Sequence, residues 1–309
     1  MKRVVDWFFA PAPAERLAAL RIVIGTYACG YLVARLPELV SVTRLPRGSF
    51  DPIGVASVLG APLPGVVVVA IVIATIGLAI AFTLGVAFRI TGPLAAVALL
   101  WTLTYRTSWG QTFHTENLLV LHVFALAVSP AADAWAVRAR PVSRPAGYGW
   151  AIKLMIALTA ATYVVAGVAK LKLAGAAWLD GDQLRNQIAI DNLRKALLGE
   201  DVAILATPLL DHGWVFTGLS LATLVVELGA PIALVGGRIG HRLGLMWAIA
   251  AWLFHVGVVL LMNILFPYAL FGFAYLPLVE LERPLGKLGR FARGRRDLGR
   301  RNAGVTRSV

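Results

Sequence analysis

The stretch Gly149-Trp-Ala-Ile-Lys153-Leu-Met-Ile-Ala-Leu-Thr159-Ala-Ala-Thr-Tyr163-Val-Val-Ala-Gly167-Val-Ala-Lys170-Leu171 decides the fold class. Its length and apolarity suit a helix that crosses a bilayer, which needs about 20 apolar residues. Lys153 stands near one end and reads as an interfacial anchor, whereas Lys170 closes the apolar run. A cation at the centre of a span costs at least ~2.5 kcal/mol on insertion scales, so an ionisable group in such a run is a functional candidate by default. Snorkelling to the interface is the plain alternative.

The rest of the chain agrees. Of its 309 residues 59% are hydrophobic and 15% charged, with a mean hydropathy of +0.76, which excludes an ordinary soluble domain. The single cysteine, Cys29, excludes a disulfide framework and dithiol chemistry. The net charge of +13 is concentrated beyond residue 282, where nine Lys or Arg face one acid, Asp297. That tail reads as charge that sets orientation in the membrane, not as a nucleic-acid-binding element.

Apolar runs predict an all-α polytopic bundle of about eight spans, near residues 15–36, 62–84, 91–107, 114–132, 149–171, 214–236, 243–265 and 266–281. The first is expected to be a retained helix and not a removed signal peptide. Residues 1–14 would then form a cytoplasmic N-terminus, 15–282 the membrane domain and 283–309 a basic cytoplasmic tail. This places Lys2 and Arg3, Arg89, the 138–144 loop and Arg238 and Arg242 on the cytoplasmic side of a cell membrane. The longest connection, near 172–213, falls outside; its Gly181–Leu198 core predicts an amphipathic helix on the membrane surface or capping the bundle.

Thr159, Tyr163, Gly167 and Lys170 are spaced by four, four and three, so they share one helix face, with small Ala160 and Ala166 beside them. Small residues mark packing faces in membranes, and this turns Lys170 toward the bundle. His114, Glu116, Asn117, His122, His255 and Asn263 fall at similar expected depth, as a buried polar or proton-handling site requires. Arg21 and Glu227 are both expected in the inner half of their spans, where they would form a structural ion pair. No Walker loop, nucleophile elbow or His-Glu-x-x-His pattern is present, and no metal site is predicted.

The elements Tyr163–Leu171, Trp109–Leu121 with His114-Thr-Glu-Asn117, and Phe254-His255 through Asn263-Ile-Leu-Phe266-Pro-Tyr268 resemble the membrane domain of vitamin K-dependent gamma-carboxylases. More closely, the chain resembles the small bacterial HTTM-domain proteins related to them, over about residues 5–280. In the carboxylases a lysine in this element is the base that deprotonates vitamin K hydroquinone. The resemblance therefore implies Lys170 as a quinol base, His114 and His255 as catalytic partners, and Tyr163, Asn117 and His122 as groups binding a quinol or vitamin K-like molecule. Position 169 is alanine where the carboxylases carry another lysine, and no counterpart of the large luminal region that engages their protein substrate is expected within these 309 residues.

Two functional readings stay open: quinol-linked, carboxylase-like proton abstraction, and a non-catalytic membrane component of a peptide export, maturation or immunity system. The first calls for a quinone and membrane lipid as partners and for an apolar cavity opening to Lys170 and at least one of His114 or His255; the second calls for a membrane or secreted protein and for Lys170 held in an ion pair, with no cavity. A transporter ranks last, since neither an internal repeat nor a helix broken at mid-membrane is visible in the sequence.

Overall fold

A computed structural model describes residues 2–110, 114–137 and 147–284. Its α-helices are α1 (Lys2–Phe8), α2 (Ala14–Ala34), α3 (Leu36–Ser41), α4 (Gly65–Leu84), α5 (Phe88–Thr107), α6 (Asn117–Ala127), α7 (Gly149–Ala174), α8 (Asp182–Leu197), α9 (Ala206–Leu209), α10 (Gly213–Leu228), α11 (Gly237–Met262) and α12 (Pro267–Leu270). No strand occurs among the described residues. The 138–144 loop and the tail beyond residue 284 lie outside them.

Five segments among the described residues, not eight, are long and apolar enough to cross a membrane: Ala14–Ala34, Gly65–Leu84, Gly149–Trp178, Gly213–Leu234 and Gly237–Met262. Each shortfall has a local cause. Helix α5 has 20 residues but carries Arg89 and Arg106 near its ends, and α6 has 11 residues, about 17 Å of helix. The expected last span, 266–281, is not a continuous helix. It is broken into α12, a turn at Gly272 and a 3-10 segment, Phe273–Leu278, that contains Pro277.

That broken segment nevertheless runs from one face of the bundle to the other. At its start the Asn263 amide donates to the Asp201 carbonyl (3.1 Å), beside α8. At its end Arg16, in the first turn of α2, binds Glu280 (2.8 Å) and Glu282 (2.6 Å). Irregular backbone survives at membrane depth only where protein surrounds it and satisfies its polar groups. Here the Thr159 hydroxyl donates to the Ala274 carbonyl (3.1 Å) and the Trp252 indole to the Leu270 carbonyl (2.8 Å).

The spans pack largely in chain order, α2 on α4, α4 on α5, α5 on α6 and α6 on α7, with α10 and α11 on the far side of α7. Their outer stripes carry exposed aliphatics, such as Val66, Ile73 and Ile80 along α4, spaced by seven as a lipid-facing stripe requires. The connection expected outside forms α8, which turns Ile188, Asn192 and Lys195 inward. Asn192 and Lys195 donate to the Leu261 and Met262 carbonyls, so α8 caps the C-terminal end of α11, where a cation complements the helix dipole.

Arg16 ties the start of α2 to the end of the broken segment. Burial alone would raise the Glu282 carboxyl, but the hydrogen bond and charge of Arg16 outweigh it and hold that group below its ordinary range. Its contribution is therefore complete above the unfolded carboxylate value of ~4.3 and is lost as pH falls through the depressed folded value. Arg16→Ala is expected to destabilise the detergent-solubilised protein by about 1–3 kcal/mol, between exposed and fully buried pairs. Thermal unfolding from pH 7 down to pH 3 should show the gap between variant and wild type closing at the acid end; a gap that widened there would refute the pairing.

Candidate functional site

Helix α7 presents its polar face to two broken crossings. On one side is the 263–282 segment. On the other is the crossing that begins as α10 and changes to a 3-10 helix, Ala230–Leu234, with Pro231 in its first turn. Proline lacks the amide hydrogen that an α-helix needs at that point, so the break is written into the sequence.

Lys170 lies about 32 Å of helix from Gly149, near the α8 face. Its Nζ donates to Glu227 Oε1 (2.5 Å) and stands 5.4 Å from the centre of the Trp178 ring. The Glu227 side chain is 2% exposed and that of Lys170 24%. Close helix approach makes this contact. A Cβ on Gly167, one turn before Lys170, would stand 2.9 Å from Leu228 Cδ2 and 3.0 Å from Glu227 Cβ. Glu227 Oε2 is buried and has no hydrogen-bond partner among the described residues.

The expected Arg21–Glu227 pair is thus corrected. The Trp178 indole donates to the Ser220 carbonyl (3.3 Å) and the Thr217 hydroxyl to that of Asp180 (2.8 Å). These contacts start α10 beyond the end of α7, so Glu227 arrives level with Gly167 and Lys170. Arg21 lies near the opposite face, fully buried, donating to the Phe82 (3.3 Å) and Trp135 (2.6 Å) carbonyls with the Phe88 ring 5.9 Å away. The Phe82 carbonyl at the C-terminal end of α4 and the Trp135 carbonyl beyond α6 replace the carboxylate, and the planar guanidinium suits them. Gly85 ends α4 with φ +70°, and a Cβ there would run into the Arg21 guanidinium.

One turn or two below Lys170, Tyr163 is buried between two partners. Its hydroxyl bonds His255 Nε2 at 2.8 Å and the Tyr275 hydroxyl at 2.6 Å. His255 Nδ1 is buried and lacks a hydrogen-bond partner among the described residues. Phe266 stacks against His255 on one side (5.2 Å between ring centres) and His114 on the other (5.4 Å). His114 and Asn117 are exposed at the α8 face. The two expected catalytic histidines therefore share one aromatic neighbour, whereas Lys170 makes its contacts with Glu227 and Trp178.

His122 is fully buried, and both its ring nitrogens are engaged: Nδ1 with the Tyr268 hydroxyl (2.8 Å), Nε2 with the Thr159 hydroxyl (3.0 Å) and the Met155 carbonyl (3.1 Å). It joins α6, α7 and the broken segment and holds no free position for a ligand. Sequence reading missed Trp178, Tyr268 and Tyr275 as members of this region. Their only signal was aromatic residues flanking polar helix faces, and their partners lie on other elements. No group of three or more His, Cys, Asp or Glu close enough to hold a metal ion occurs among the described residues.

A second polar cluster joins α2, α3, α5 and the start of α6. Arg106 binds Glu116 (3.1 Å) and Glu38 (2.6 Å), Arg35 binds Glu38 (2.5 Å), and the Tyr31 hydroxyl donates to Glu116. Two arginines and two glutamates balance one another, which is what charges near lipid require.

The family model described as HTTM domain matches residues 9–279 of the chain. No curated protein and no solved structure matches it.

Substitution of Gly167 tests the assembly of the pair. Gly167→Ala should cost less than Gly167→Val, since the Leu228 side chain can yield to a methyl group but Glu227 Cβ, fixed to the α10 backbone at 3.0 Å, cannot; Gly167→Val should force α7 and α10 apart and lower stability by about 1–3 kcal/mol. Double substitution with Glu227→Leu is the check: if Gly167→Val costs as much without the carboxylate as with it, the glycine does not serve the ion pair.

Proposed function

The chain belongs to the HTTM-domain family, and from that premise we propose that it is a membrane-embedded enzyme in which Lys170 takes a proton from a quinol-like substrate. The Lys170–Glu227 contact carries the reading, because it joins a nearly buried carboxylate to a partly exposed amine. An ion pair removed from water loses much of its advantage over the neutral pair. Passage of one proton across the 2.5 Å hydrogen bond leaves a neutral amine and a carboxylic acid. The amine then accepts the proton of a substrate hydroxyl, producing an ammonium beside an oxyanion. Glu227 holds the exchanged proton, and the ring of Trp178 faces the resulting cation.

The His255–Tyr163–Tyr275 chain supports the same chemistry, since it supplies hydroxyl and imidazole groups on the face of α7 that bears Lys170. His255 and Tyr163 are the candidates for a quinol oxygen; His114, exposed at the α8 face, would meet the substrate earlier. His122 is a packing residue in this reading. The cell membrane supplies both the location and the quinol pool. The carboxylase-like step downstream, and any membrane or secreted protein acceptor, rest on family resemblance alone.

The non-catalytic reading keeps one specific observation, that Lys170 already has a carboxylate partner. Naphthoquinol and benzoquinol binding to the purified protein in nanodiscs separates the two. Wild type should bind saturably, with Lys170→Ala at least about tenfold weaker, a loss of ~1.4 kcal/mol. Glu227→Gln should retain binding and lose formation of the quinolate absorbance. Equal binding by wild type and Lys170→Ala, with only the unfolding temperature changed, would assign the pair to structure.

A further inference from the structure

A cleft of about 230 Å³ opens between α5 and α6, helices that contribute neither Lys170 nor Glu227. Leu100 and Leu103 of α5 and Val120 and Leu121 of α6 form its apolar walls. Thr104 and Thr107 lie toward the end of α5, and Glu116 and Asn117 at the start of α6. Because consecutive helices here run antiparallel, both place their polar members at the same end, near the α8 face. Leu121 is 38% exposed, so the apolar part communicates with the lipid-facing surface.

We propose that this cleft binds an uncharged, hydroxyl-bearing membrane lipid of the acylglycerol type, its head at Glu116 and Asn117 and one chain running out past Leu121. Charge supports the choice. Glu116 and Glu38 already balance Arg106 and Arg35, so a phosphate or carboxylate headgroup would add an unmatched anion. The Glu116 carboxylate, the threonine hydroxyls and the Asn117 amide can instead accept a hydroxyl hydrogen. Apart from Glu116 and Asn117 the lining residues are aliphatic or hydroxylic, and none carries a ring to stack on a quinol head. The volume falls below the ~300–1,000 Å³ of pockets that enclose a drug-sized ligand, so it suits a head and the first part of one chain.

The test uses the full-length protein in nanodiscs with a diacylglycerol carrying a photoreactive group beside the glycerol. Probes with the same group on phosphatidylglycerol and on a naphthoquinol run in parallel, and the crosslinks are mapped by mass spectrometry. The diacylglycerol probe is expected to label residues 100–107 and 116–121 in preference to the others. Leu121→Trp, at a lipid-exposed position, should lower that labelling at least about fivefold, or ~1 kcal/mol. Ile73→Trp, on the exposed stripe of α4, should leave it unchanged. Competition on the wild-type protein by unlabelled diacylglycerol, but not by phosphatidylglycerol, gives the same answer should Leu121→Trp fold poorly. Equal labelling by phosphatidylglycerol would mean annular lipid contact only, and preferred labelling by the naphthoquinol would give the cleft to a quinol. Either result, or undiminished labelling of a folded Leu121→Trp, overturns the proposal.

Discussion

A main chain inside a bilayer must satisfy its own hydrogen bonds, and the rest of this structure follows from how that demand is met where the helices stop. Two crossings break at depth, after Glu227 and beyond Asn263, at Pro231 and around Gly272 and Pro277. Each break frees polar backbone that neighbouring side chains must answer. Thr159 and Trp252 do so directly, and His122, Tyr163 and Arg16 fasten the segment at successive levels. Thr159 and Tyr163 of α7 are therefore structural. The same face holds Tyr163 against His255 and Tyr275 and, two turns on, Lys170 against Glu227.

Energetic cost separates the polar groups into two kinds. His122 has both ring nitrogens engaged by hydroxyls and a carbonyl within the bundle, and Arg106 and Glu116 meet as opposite charges. Arg21, Glu227 and His255 each retain a buried atom, Nε, Oε2 and Nδ1 in turn, without a hydrogen-bond partner among the described residues. Such an atom costs roughly 1–3 kcal/mol when left unmet, so the two that flank the α7 polar face identify where a further hydrogen-bonding group would be most strongly held. The α5–α6 cleft has a different character, with its charges already balanced behind it.

Helical class, membrane residence and most crossings were legible in the sequence because a run of about 20 apolar residues has few other uses. The α7 face was legible too, since spacings of three and four place Thr159, Tyr163, Gly167 and Lys170 on one side whatever the neighbours are. The α8 helix was expected from its apolar spacing, and the structure adds that Asn192 and Lys195 cap α11. The last crossing was read as a helix because composition reports apolarity without reporting continuity. The partner of Glu227 was misassigned because depth was counted along an assumed span, while α10 starts beyond the end of α7.

Sequence alone determined which segments are apolar and which helix face carries the polar residues, whereas the breaks at Pro231, Gly272 and Pro277 inside expected spans emerged from the structure. The first two are properties of consecutive residues, set by transfer free energy and by backbone sterics. Only the tertiary structure decided that Glu227 meets Lys170, that Arg21 donates to two carbonyls, and that His122 is locked between Tyr268 and Thr159. Pairing between helices depends on their relative height and rotation, and packing at places such as Gly167 sets both. A shift of one turn, about 5.4 Å, exchanges every partner along a helix without changing a single residue of the pattern that built it.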